Sequence, residues 1–317
     1  MAITFGFFFQ QDNPFMKKVI EEKGISFYLN LAKHVEELGY TILYQPDHFM
    51  LPKNVTLYDC WTLLSAIACM TEKIKLASLV NPLTFFPPFM VAKKVLTVDH
   101  ISKGRAILGA GCGWYRREYE AYDIKFDELK VRAEKLEEAL KLILALWIEK
   151  GKINFDGKYY KLKEAEFEPK PIQKPHIPIF IGGASKFMLK LASELANGWI
   201  PYETPFDELE RKIKLLKRYL SHKNRDVNFT FALATKLLIA KNHEDLESLM
   251  AYTGLKKEYI SPLGLKSRII LGKVKDVIKD LEELVRIGVN HLSISPQPPE
   301  RMKEGLELFS KEVIPCF

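Results

Sequence analysis

The sequence predicts a single α/β domain over residues 1–317, a closed (β/α)8 TIM barrel with excursions near 151–178 and 242–271. Three observations carry that reading. Short β-prone apolar runs alternate with helical apolar spacing along the chain, the pattern of parallel strands joined by crossover helices. Eight such units fit within 317 residues, the size at which the alternation closes on itself. The segments that follow the strands are rich in Gly, aromatic and small polar residues, as expected of loops at the carboxyl ends of barrel strands.

Residues 3–9 are apolar and β-prone, and residues 27–38 place Leu29, Ala32 and Val35 at helical spacing before Gly39 ends the segment. Residues 42–45 and 60–70 are the second strand and helix, and 74–80 and 88–101 the third pair. The fourth strand, 105–109, precedes a long amphipathic helix with Leu129, Ala133, Leu136, Leu140, Ile143, Leu144 and Trp147 on one face. The rhythm then breaks. "INFDGKYYKL" reads as a hairpin turning at Asp156-Gly157, followed by the extended, proline-rich "EPKPIQKPHIP". Alternation resumes with "IPIFIGG" and helix 186–195, "GWIP" and helix 206–220, "FTFALATKLLIA" and helix 274–287, and "HLSIS" with helix 300–313. Residues 242–271 exceed what a connection needs and are read as a second excursion.

Composition narrows the function classes. Hydrophobic residues make up 47% and charged residues 27%, enough to bury a large core. The net charge is +7, but lysines are interleaved with glutamates in "VRAEKLEEALK" and "KDLEELVRIG", the pattern of solvated helix faces. With no basic block or basic-aromatic stripe, nucleic acid is not an expected partner. "ALKLILALWI" is too short and interrupted to span a bilayer, and no basic region precedes an apolar stretch at the amino end, so neither a membrane span nor a leader is expected. Cys60, Cys69, Cys112 and Cys316 contain no C-x-x-C pair, which fits a reducing cytoplasm. The Lys/Glu-rich surface fits a thermophile.

Candidate chemistry clusters after the strands. "TILYQPDHFML" places Asp47 and His48 directly after the second strand, where a barrel would turn them into its mouth. "GGAS" at 182–185 opens a helix and offers N–H groups and a Ser hydroxyl to a phosphate. "GAGCGW" fails the dinucleotide fingerprint, because Trp114 stands where the third Gly belongs. No H-E-x-x-H, paired cysteine cluster or G-x-S-x-G is present, so neither a metal nor serine-hydrolase chemistry is expected.

Several stretches together carry a resemblance: "PDHF" (46–49), "IKLASLVNPLTFFPPFMVAKKVLTVDHISKGRAILGAGCGWYRREYEA" (74–121), "EEALKLILALW" with "FDGKYYKL", "PKPIQKPHIPIFIGGASKFMLKLASELANGW" (169–199) and "GVNHLSISP" (288–296). Through them the chain resembles the bacterial-luciferase-like flavin- and deazaflavin-dependent oxidoreductases. The resemblance implies the barrel, a cofactor site at its mouth and usually a homodimer. It matches Asp47 and His48 to the family's Asp-His pair, the histidine being the favoured proton donor or acceptor, and the Asp47 carboxylate beside it is expected to orient the imidazole. Leu79-Val80 matches a bulge, often a non-prolyl cis bond, that backs the cofactor ring. Gly182, Gly183, Ala184 and Ser185 match the stretch that holds the cofactor's phosphate, and Asn81, Gly111 and Cys112 join the cofactor-binding set. Phe49, Phe85, Trp114 and Trp199 are read as the substrate wall, with Tyr58 and Phe86 near it. Two departures stand out. Cys112 replaces a glutamate that some members use in catalysis, and Asn197 replaces the Asp usual before Gly-Trp. Glu118, in a W-x-x-x-E pattern, is read as pairing with Arg116 or Arg117 more than as facing the site.

The expected activity is hydride transfer between coenzyme F420 and a small-molecule substrate, with His48 moving the proton. The alternatives are an FMN-dependent monooxygenase fed by a separate flavin reductase, and a flavin-binding barrel without catalysis.

Overall fold

In the computed structural model, which describes residues 3–10, 14–52, 55, 57–223, 225, 228–261 and 265–317, eight parallel strands close on one another. They are β1 (Thr4–Phe8), β2 (Ile42–Gln45), β3 (Lys75–Ser78), β4 (Ala106–Gly111), β5 (Ile179–Gly182), β6 (Gly198–Ile200), β7 (Thr230–Ala240) and β8 (His291–Pro296). Each pairs with the next, and β8 returns to β1 through Gly6↔Ser293. The eight helices that follow them are α1 (Ser26–Glu37), α2 (Cys60–Met70), α3 (Pro88–Ile101), α4 (Leu129–Ile148), α5 (Lys186–Leu195), α6 (Phe206–Ser221), α7 (Val274–Ile287) and α8 (Met302–Glu312).

Strand alternation sorts side chains into two cores. Phe7, Leu43, Leu76, Leu108, Ile181, Leu233 and Leu292 turn outward and pack with the helices. Phe8, Ile42, Tyr44, Ala77, Ile107, Phe180, Ile200, Ala232 and Ala234 turn inward and fill the barrel, with Leu79 and Val80 resting on them. Because the strands are buried on both faces, they read in sequence as continuous apolar runs.

Both excursions are present. Strands Lys152–Asp156 and Lys161–Glu166 form the expected antiparallel hairpin. Its turn is fixed by Glu138 of α4, which accepts N–H bonds from Lys158, Tyr159 and Tyr160 at 3.0, 2.7 and 2.7 Å. The second excursion contains a helix, His243–Thr253, and an antiparallel pair, Glu258–Ile260 with Lys266–Arg268. Lys257 and Arg268 tie it to the buried Asp280 of α7 at 2.8 and 2.9 Å. Two further strands were not foreseen: Ile270–Lys273 pairs with the second half of β7, outside the barrel order, and Asn81–Pro82 pairs with the end of β4. Helices Pro14–Lys23 and Arg116–Ala121 were also not foreseen, and the third strand ends at Ser78, two residues short of its expected end.

Candidate active site

His48 lies three residues beyond β2 and is held from both ends of its ring. Glu118 Oε2 is 2.9 Å from Nδ1, and Trp114 Nε1 is 3.3 Å from Nε2. An indole N–H can only donate, so Nε2 accepts it and the imidazole proton sits on Nδ1, directed at Glu118. The two contacts hold the ring in one orientation, with Nδ1 toward Glu118 and Nε2 toward Trp114. The His48 side chain is 15% exposed, against 2% for Glu118.

Glu118 therefore pairs with His48 and not with the arginines beside it in sequence, which corrects the sequence reading. Arg116 pairs with Glu120 at 3.6 Å. Glu118 instead turns inward from the short helix Arg116–Ala121, and its Oε1 accepts the backbone N–H groups of Phe49 at 2.5 Å and Met50 at 3.1 Å. Three donors offset the cost of burying a carboxylate. The W-x-x-x-E spacing was the available signal: its two ends bind the two nitrogens of one histidine.

Asp47, expected to orient His48, does something else. It is 3% exposed and accepts a hydrogen bond from Asn81 Nδ2. Burial first, then the nearby Asp59, push its pKa from 3.8 up to about 7, against the opposing pull of His48, Lys94 and Asn81. The unfolded chain ionises this carboxyl near 3.8 and the folded chain near 7, so the bound proton favours folding at low pH. That advantage is lost as pH rises from about 4 to about 7. Asp47→Asn keeps an acceptor for Asn81 and removes the titration. Its stability relative to wild type should rise by roughly 2–3 kcal/mol between pH 5 and pH 8, read by denaturant unfolding at each pH. A difference that does not vary with pH would show that Asp47 ionises normally.

Leu79 and Val80 leave β3 through a cis peptide bond and rest on the interior core. The buried Gly111 and Gly182, assigned from sequence to the cofactor, make room for this bulge. A Cβ on Gly111 would meet Val80 Cγ2 at 2.6 Å, and one on Gly182 would meet Val80 Cγ1 at 3.0 Å. Beyond them Gly183 is exposed with φ 87°, a left-handed conformation natural to glycine. Ser185 caps α5 by accepting Met188 N–H at 3.3 Å, which leaves its hydroxyl proton for another acceptor. Lys212 Nζ donates to Ala184 O beside it. Lys212 is itself paired with Glu208 at 3.0 Å, so the features here that fit a phosphate are the glycine turn and the Ser185 hydroxyl at a helix start.

The remaining wall residues divide. Phe49 and Trp114 are each 44% exposed, and Phe49 stacks on Phe85 at 5.3 Å. Trp199 is fully buried in the outer core with its Nε1 donating to Gly183 O at 2.6 Å, so it supports the Gly183 turn and is not a wall of the mouth. Tyr58 and Phe86 pack against that same core. Cys112 is half-buried, and its carbonyl accepts from Thr84 Oγ1 at 3.0 Å and Arg132 Nη1 at 3.2 Å. Burial pushes its thiol pKa up, so it does not substitute for a carboxylate.

The model of the luciferase-like monooxygenase family matches residues 3–284. The chain belongs to this family. It is 24% identical over 325 residues to an F420-dependent glucose-6-phosphate dehydrogenase of Amycolatopsis mediterranei, covering 94% of this chain and 96% of that one. Among solved structures it is similar to the coenzyme F420 dependent tetrahydromethanopterin reductase from Methanopyrus kandleri, with TM-score 0.80, 22% identity and full coverage of both chains. It is also similar to the monooxygenase RslO1 from Streptomyces bottropensis, with TM-score 0.84, 20% identity and 99% of each chain covered. The chain is thus an oxidoreductase of the luciferase-like family with a TIM-barrel fold. Among the described residues, no helix is long and apolar enough to cross a membrane.

Proposed function

We propose that this luciferase-like oxidoreductase transfers hydride between coenzyme F420 and a small organic substrate, with His48 moving the accompanying proton. The observation that carries the reading is the fixed tautomer of His48. A barrel that only stored a flavin would need neither a buried carboxylate on Nδ1 nor a basic nitrogen presented to the mouth. Gly183, Ala184 and Ser185 would hold the cofactor's phosphate, and Leu79-Val80 would back its ring. The deazaflavin, when bound, supplies a carbon centre that exchanges hydride. Around it the chain's own groups orient and exclude water: Phe49, Phe85 and Trp114 wall the mouth, and His48 Nε2 takes or returns a proton.

Coverage of nearly all of the F420-dependent relative supports the deazaflavin over FMN. Calorimetry with F420 and FMN in one buffer tests this. F420 is expected to bind more tightly, and Ser185→Ala should weaken it about tenfold by removing a hydrogen bond to a charged acceptor. Micromolar FMN binding with none for F420 would move the assignment to an FMN-dependent monooxygenase supplied by a flavin reductase.

A further inference from the structure

One wall of the mouth is not used by the reaction as proposed. Along β7, Ala232 and Ala234 point into the barrel beside Phe8 and Tyr44, so alternation puts Lys236 on the same face, one step nearer the mouth. Lys236 pairs in register with Ser295 of β8. On β8, Leu292 and Ile294 join the outer core while the His291 ring lies 5.8 Å from Tyr44, so His291, Ser293 and Ser295 share the inward face. Ser295 is fully buried, and its hydroxyl has no hydrogen-bond partner among the described residues. Tyr202, just past β6, closes this corner, its ring 5.9 Å from Phe8 and 6.0 Å from Lys236 Nζ.

Lys236 is fixed in place. Its Nζ lies 3.3 Å from Glu203 Oε1 and 3.5 Å from the Tyr259 hydroxyl, which itself donates to Glu203 Oε2. Glu203 is 1% exposed and anchored by its backbone: its N–H donates to Ala234 O and its carbonyl accepts from Arg268 N–H, both at 2.8 Å. An ammonium has three N–H groups; one donates to the Tyr259 hydroxyl, and the contact with Glu203 is an ion pair without a directed hydrogen bond. Glu203 also cancels the local charge. An anion bound here would face a second carboxylate at close range, whereas an uncharged oxygen would meet a donor with no opposing charge.

We propose that Lys236 and Ser295 form a subsite for an uncharged oxygen, a carbonyl or hydroxyl, of the molecule held in the mouth three strands round the barrel from His48. The oxygen belongs either to the cofactor ring, since deazaflavin and flavin rings both carry carbonyls, or to the substrate. This deepens the proposed function and rests on the mouth holding both. Lys236→Met, Lys236→Gln and Ser295→Ala, each checked for native Tm, separate the sources. All are titrated with F420 and FMN, and then with cyclohexanol, acetate and inorganic phosphate, bare and cofactor-loaded.

A ring carbonyl at the subsite gives a cofactor Kd raised about tenfold in Lys236→Met, with partial recovery in Lys236→Gln. A substrate oxygen leaves the cofactor Kd within about twofold and weakens cyclohexanol about tenfold. Acetate or phosphate binding tighter than cyclohexanol, lost in Lys236→Met and kept in Ser185→Ala, overturns the proposal, and so does a folded Lys236→Met protein in which no ligand's affinity changes. If wild type binds neither F420 nor FMN, the cofactor reading fails separately, and the probes on the bare protein still decide the subsite.

Discussion

Alanine in place of His48 is expected to lower turnover by about 100-fold or more, with the cofactor's dissociation constant moving by less than about threefold. The inequality follows from where the imidazole acts. Its Nδ1 is committed to Glu118, and only Nε2, now touched by Trp114 at 3.3 Å, is left to exchange a proton in the proposed reaction. A group of that kind contributes when a proton moves in the transition state and little when a ring simply binds. His48→Gln separates chemistry from packing, because it retains bulk and hydrogen bonding and removes the basic nitrogen. Single-turnover rates and calorimetry on the same preparations read the two effects apart. Near-normal turnover and pH dependence in the Gln variant would reduce His48 to part of the pocket wall.

Much of the barrel was legible because its signals are local and repeated. Strands such as residues 106–111 and 179–182 are buried on both faces and read as unbroken apolar runs, and α2, α3, α5 and α7 end where their periodicity ends. The helix Arg116–Ala121 was hidden by its length: six residues do not complete two turns, so no period can be seen. The strand Ile270–Lys273 was hidden for a different reason. It breaks the alternation and exists only because β7, at eleven residues, outruns the barrel and offers a second edge. At the site, Asp47 and His48 were found by position along the chain, but their partners were not. The Glu118 carboxylate reaches His48 across 70 residues of sequence, and adjacency favoured the wrong acid. Trp199 misled in the same way: it lies beside the phosphate turn and is turned outward into the helical layer, a sidedness that one-residue differences in strand register decide.

The decisive variant for the site is Glu118→Gln, expected to cost roughly 30- to 100-fold in turnover, nearly as much as removing His48, by reversing the imidazole tautomer. The introduced glutamine would satisfy the Phe49 and Met50 N–H groups with its carbonyl oxygen, as Glu118 Oε1 does now. Its amide nitrogen would then face His48 Nδ1, and two N–H groups cannot point at each other. The ring proton must move to Nε2, where it opposes the Trp114 N–H and removes the base from the mouth. Turning the amide over restores the tautomer but strands two backbone donors in a buried site, at about 1–3 kcal/mol each. The fold should survive, since two of the three bonds to this side chain persist, whereas Glu118→Ala loses all three and should lower Tm as well as turnover. Nitrogen-15 shifts of the His48 ring report the tautomer directly, independent of substrate. A Gln variant with unchanged ring shifts and wild-type turnover would mean that Glu118 only staples the loop carrying Phe49 and Met50, and that the orientation of His48 is set by the barrel without it.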